Sequence, residues 1–77
     1  MSNKEKRIIN DVILFLMDFV DASFENNEAP DKTFAKVECL LNVYGKYKKL
    51  IFPNIKNDIE EFIKGLKNAG FEFNWEA

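Results

Sequence analysis

The chain has 77 residues, a formal net charge of −2, a single cysteine and no histidine. A chain this short forms one domain, Cys39 alone makes an intrachain disulfide impossible, and the ligands of a structural zinc site are missing. Such a domain buries only about 60% of the surface its unfolded chain exposes, so the eight phenylalanines, two tyrosines and one tryptophan point to aromatic packing or self-association as the source of stability.

Helix 1 is expected over about residues 3–24. Ser2 and Glu5 have the spacing of a capping box, in which the hydroxyl accepts from a free amide of the first turn and the carboxylate reaches back. Ile8, Val12, Phe15 and Phe19 share one face, and Ile9, Ile13, Leu16 and Val20 line the next. At 100° per residue the apolar arc spans roughly 200°. Arg7, Asn10, Asp11, Asp18 and Asp21 form the polar stripe, with Leu14 in its middle and Met17 at its edge. That is more apolar surface than one side needs, so helix 1 either sits between two helices or meets another chain. Lys4, Lys6 and Arg7 before "IINDVILFLMDFV" have the layout of a leader peptide, but Asn10, Asp11 and Asp18 leave only Val12 to Met17 uninterrupted. That run is too short for a secretory core or a membrane span. The expectation is a cytoplasmic protein without membrane contact, and a lone cysteine suits a reducing compartment.

The break "ENNEAPDK" offers Pro30 as a first helical residue and Asp31 as an N-cap. Helix 2 is expected over about 31–51, because Phe34, Val37, Leu41, Tyr44 and Ile51 keep one phase, flanked by Leu40 and Tyr47, and that phase runs on past Gly45. Cys39 on this helix is expected to be a partly buried, inert thiol. The break "FPN" ends it, since proline cannot continue a helix interior and pushes Phe52 out of helical geometry. Helix 3 is expected over about 55–69, capped by Asn54 or Asn57. Its stripe is Ile55, Ile59, Phe62, Ile63, Leu66 and Ala69. Gly70 supplies the left-handed residue of a Schellman stop, which packs Phe71 on Leu66. The remaining "GFEFNWEA", residues 70–77, alternates Phe71, Phe73 and Trp75 with polar residues like a strand, but no other strand is in sight to pair with it. The fold expected is all-α: an antiparallel three-helix bundle with an extended aromatic C-terminal tail, which straps its own bundle or adds to a partner's sheet edge.

Charge is unevenly spread. Residues 1–31 carry three basic and seven acidic groups, residues 32–49 five and one, and residues 50–77 three and five. In an up-down-up bundle this gathers Lys4, Lys6, Arg7, Lys46, Lys48, Lys49 and Lys56 at one pole. Asp18, Asp21, Glu25, Glu28 and Asp31 gather at the other. The basic pole offers a nucleic-acid reading, but one arginine and an acidic isoelectric point of about 5.1 argue against it. So do Asp58, Glu60 and Glu61, which load the start of the candidate recognition helix with the wrong sign for phosphates.

The chemistry of catalysis is missing. No histidine offers a general base, Gly45, Gly65 and Gly70 stand too far apart for a phosphate-cradling loop, and Cys39 has no partner to activate it. A bundle this small also leaves little room for a cleft of about 300 Å³. The expectation is not an enzyme and no cofactor, but a small interaction protein: an inhibitor, regulator or adaptor that binds a protein partner. Leu14, Met17, Phe71, Phe73 and Trp75 are its candidate apolar contacts, and Asp18, Asp21, Glu25 and Glu28 its acidic ones. A homodimer seamed along helix 1 is the alternative, and nucleic-acid binding through Lys46, Lys48, Lys49 and Lys56 comes third. Abundant Lys, Asn, Ile and Phe without Gln or His fits an AT-rich genome, as in many bacteria and phages.

Overall fold

A computed structural model describes residues 3–72. These form α1 (Asn3–Glu25), α2 (Pro30–Lys46), a short 3-10 turn (Lys48–Leu50) and α3 (Pro53–Asn68), with no strand among the described residues. Ser2, expected to cap α1, lies outside the described residues, as do Phe73 and Trp75 of the expected tail.

Both long helices that need a sharp stop end the same way. At the end of α1, Asn27 takes φ 53° and donates to the Phe24 carbonyl, while Glu28 donates to that of Ser23. At the end of α3, Gly70 takes φ 99° and donates to Lys67, while Phe71 donates to Leu66. Each is a Schellman pair that satisfies two orphan carbonyls. Asparagine does at the first what glycine does at the second, because its short polar side chain tolerates the left-handed region.

The helix starts differ from the expected caps. Pro30 and Pro53 are first helical residues, Ala29 and Phe52 hold the N-cap positions, and neither cap uses a side chain. Asp31 therefore sits in the first turn, where its carboxylate still meets the positive end of the helix. Asn54 and Asn57 lie inside α3 rather than ahead of it. Phe52 is extended (φ −65°, ψ 146°), as a residue before proline must be. Helix 2 does not run unbroken to residue 51. Tyr47 leaves helical geometry at φ −114°, and the chain tightens into the 3-10 turn closed by Leu50 to Tyr47 and Ile51 to Lys48. The turn still delivers Ile51 to the core, so the apolar pattern runs across the break and conceals it.

The core draws on all three helices: Ile13 and Val20 from α1, Val37, Leu40, Leu41 and Tyr44 from α2, Ile51 from the connection, and Ile55, Ile59, Ile63 and Leu66 from α3. α1 packs against α2, the 3-10 turn and α3. Ile9, Leu16, Met17, Val43, Phe52, Phe62 and Phe71 border the core, half-buried. Cys39 is exposed rather than partly buried. Tyr44 is fully buried, and burial, with Glu60 nearby, pushes its phenol above the usual range.

Three polar side chains are buried with the core: Asn10, Ser23 and Thr33. Asn10 had the place of a solvent-facing residue in the polar stripe of helix 1. Instead its amide nitrogen donates to the Lys6 carbonyl at 2.7 Å and the Leu50 carbonyl at 3.0 Å, and its oxygen accepts from the Phe52 amide at 2.8 Å. One side chain thus satisfies backbone groups on both sides of Ile51, where the chain has left one helix and not yet entered the next. The Ser23 and Thr33 hydroxyls meet at 2.6 Å and tie the end of α1 to the start of α2.

Replacing Asn10 with Ala strands a buried carbonyl and a buried amide, so urea unfolding should show a loss of about 2–4 kcal/mol. Truncating either Ser23 or Thr33 should cost about 1–2 kcal/mol, whereas Ser23→Ala with Thr33→Val should cost less than the two single losses summed, because neither hydroxyl is then left alone. The glycines should divide by sign. A methyl group at Gly45 or Gly65 meets nothing within 4 Å, so Ala there should raise stability by about 0.5–1 kcal/mol. Gly70→Ala should lower it, because φ is positive.

Candidate functional site

α1 packs against both α2 and α3, and two neighbours can cover only part of a roughly 200° apolar arc. Ile9, Ile13, Leu16 and Val20 take the inner sector, with Met17 packed at its border. The face beside them is left outside: Ile8 is 52% exposed, Val12 40%, Phe15 65% and Phe19 44%. These residues recur at i, i+4, i+7 and i+11 and so form one straight stripe. Monomeric proteins scatter single apolar residues over their surfaces but seldom align four large ones.

The stripe is ordered within itself. The rings of Phe15 and Phe19 stack with centroids 6.0 Å apart and 12° between their planes. Lys36 of α2 sets its ammonium 4.3 Å from the centroid of Phe19. The same ammonium grips both oxygens of Glu28, at 2.6 and 2.9 Å. One lysine therefore links the α1–α2 turn to the aromatic end of the stripe, as charge pair and as cation–π contact. The Lys36 hydrogen bond lowers the Glu28 carboxyl, with the Lys36 charge, Ser23 and Lys32 acting in the same direction.

The sequence-derived contact residues are dispersed. Leu14 is exposed (40%) but lies away from the stripe. Met17 and Phe71 are half-buried against the core. Phe71 also meets Phe24 edge-on, at 5.4 Å and 88°. Asp18, Asp21 and Glu25 share the C-terminal half of α1. Partial burial, then Asp18 and Glu25, raise the Asp21 carboxyl above its ordinary 3.8. Glu28, by contrast, is engaged with Lys36. At the other pole, Asn10 brings the first turns of α1 to the connection that carries Lys48 and Lys49. Lys46 rests 5.5 Å from the Tyr47 ring.

Surface grooves larger than the small core implied are present. One of 440 Å³ is lined by Pro30, Asp31, Phe34 and residues 69–72. Another, of 340 Å³, lies between Asp21, Phe24, Phe62, Gly65, Leu66 and Ala69. A third, of 600 Å³, follows Gly45 to Leu50. None gathers a nucleophile beside a base. Among the described residues no group of three or more Cys, Asp or Glu side chains converges as metal ligands, and no helix is long and apolar enough to cross a membrane.

The sequence shows the stripe as part of a surplus apolar arc, without saying which residues of that arc face outward. The signal of that surplus is arithmetic: two partner helices cannot cover a 200° arc. No family model, curated protein or solved structure matches the chain.

The two perturbed carboxylates should affect stability in opposite directions. Glu28 has a lowered folded pKa, so its contribution is complete above its ordinary 4.5 and disappears as pH falls through the folded value. Asp21 has a raised folded pKa, so it opposes folding once pH exceeds about 3.8 and has no effect well below that. In thermal melts, Glu28→Gln should lower Tm at pH 7 and Asp21→Asn should raise it. Both differences from the wild type should vanish at low pH.

Proposed function

We propose that this chain is a small non-enzymatic interaction protein of the cytoplasm, an antiparallel three-helix bundle that inhibits, regulates or adapts by binding a protein partner through α1. The observation that carries this reading is the aligned exposure of Ile8, Val12, Phe15 and Phe19. Covering such a stripe recovers roughly 25 cal/mol per Å² of apolar surface, and a helix presents it as rigid anchors at i, i+4, i+7 and i+11, the layout of helix-in-groove recognition. Stacked Phe15 and Phe19 supply the large, stiff side chains that dominate binding energy at interfaces. The stripe is apolar and the neighbouring polar residues sit at its edges, the anatomy of an interface core with a charged rim.

A photo-crosslinking phenylalanine analogue at position 15, with the chain expressed in its native cells, tests this. A discrete protein adduct should form at position 15 and not at Lys64, an exposed position on α3. Equal labelling at both positions, or none at position 15, would remove the reading.

A further inference from the structure

We infer that the partner seated on the stripe is a second copy of this chain, docked with its α1 antiparallel to the first. The inference rests on the functional reading above and names the occupant of that same surface. Two independent features carry it.

The first is spacing. Ile8, Val12, Phe15 and Phe19 are separated by four, three and four residues, an order that reads the same in both directions. A two-fold axis crossing α1 between Ile13 and Leu14 sets Ile8 opposite the other copy's Phe19 and Val12 opposite its Phe15. Each small or branched side chain then meets an aromatic ring, the large-against-small alternation that fills an interface without voids. A two-fold contact requires such a self-complementary patch.

The second is charge. Along α1 the basic groups Lys4, Lys6 and Arg7 lie in the N-terminal third, and Asp18, Asp21 and Glu25 in the C-terminal third. About the same axis Arg7 falls within a turn of the other copy's Asp18, and Lys4 within a turn of its Glu25, whereas Asp21 faces α3. Asp11 falls as close to the other copy's Asp18 as Arg7 does, a like-charge contact that offsets part of this gain. Parallel docking would instead set Arg7 on Arg7 and Asp18 on Asp18. Charge therefore selects the antiparallel arrangement and resists the other. On the second flank Lys36, paired with Glu28, borders Phe19, which keeps 44% of its surface exposed. Four apolar residues a side form only the centre of a contact, far fewer than the roughly 20–30 residues of a standard interface, so the dimer is of the weak, reversible kind.

Sedimentation and light scattering of the full chain, up to about 100 µM where a micromolar dimer is nearly saturated, should give twice the monomer mass. Phe15→Glu should halve it while the circular dichroism spectrum and melt stay those of a folded helical chain. Arg7→Glu and Asp18→Arg should each weaken dimerisation by about three- to tenfold, and the double variant should restore it. Eleven residues of helix separate the two positions by about 16 Å within one chain, so that rescue must act between chains. A chain that stays monomeric at the highest concentration overturns the inference. So does a dimer indifferent to Phe15→Glu, or a charge swap that fails to rescue. If the monomeric chain still gives a position-15 adduct with a different protein, the functional reading stands and the inference alone falls; with no adduct, both fall.

Discussion

The fold depends on one buried amide. Asn10 holds the Leu50 carbonyl and the Phe52 amide, the two backbone groups that the break between α2 and α3 would leave without helical partners. Proline at residue 53 forces the chain to be extended there, and an extended segment against a hydrophobic core must find its hydrogen bonds from something other than itself. The side chain that supplies them is anchored in turn to Lys6. Ile51, set between the two satisfied groups, can therefore enter the core. At the other end of α1 the Ser23–Thr33 bond and the Glu28–Lys36 pair tie the first connection. A bundle with a single cysteine and, among the described residues, no metal ligand set is held at each end by side chains of its longest helix.

Much of the fold was legible, for local reasons. Three segments at helical spacing, two prolines and one glycine placed α1, α2 and α3, and Gly70 with Phe71 marked the α3 stop because a left-handed residue and its apolar successor leave a local signature. What was concealed was either degenerate or long-range. Asn27 does glycine's work with a weaker signal than glycine gives. The 3-10 turn at Lys48–Leu50 still delivers Ile51 to the core, so the apolar pattern runs on across the break. Asn10 looks like any surface asparagine, since bonds to residues 40 and 42 positions away leave no mark on its neighbours in sequence. Ile8, Val12, Phe15 and Phe19 cannot be told from the inner sector in the sequence, because hydrophobicity reports what water disfavours, without reporting what covers it. Leu14 and Met17 stood out only because they broke a pattern, and breaking a pattern is a weaker clue than the width of the arc itself.

The exposed stripe also bears on why α1 is as it is. Most of a helix's stability in a protein comes from packing its apolar face, and this one gives only part of its apolar surface to its own core. The same surplus that makes the surface adhesive lowers the stability the domain could have drawn from a wider core. Lys36 moderates this by lying over Phe19, which screens one ring face while keeping the site polar at its border. The acidic residues at the C-terminal end of α1 act in the other direction. Asp18, Asp21 and Glu25 crowd the negative end of the helix dipole, and no basic residue occupies the last turn. That end is electrostatically unfavourable in the lone chain, and an approaching positive charge relieves it.

The reach of Asn10 has a kinetic meaning as well. Ser23 and Thr33 are ten residues apart, whereas Asn10 and Phe52 are 42 apart. Closing the longer loop costs about 1.3 kcal/mol more chain entropy, so the asparagine's tie is the costlier of the two to form, and a contact of such high sequence separation slows folding more than the local Ser23–Thr33 pair does.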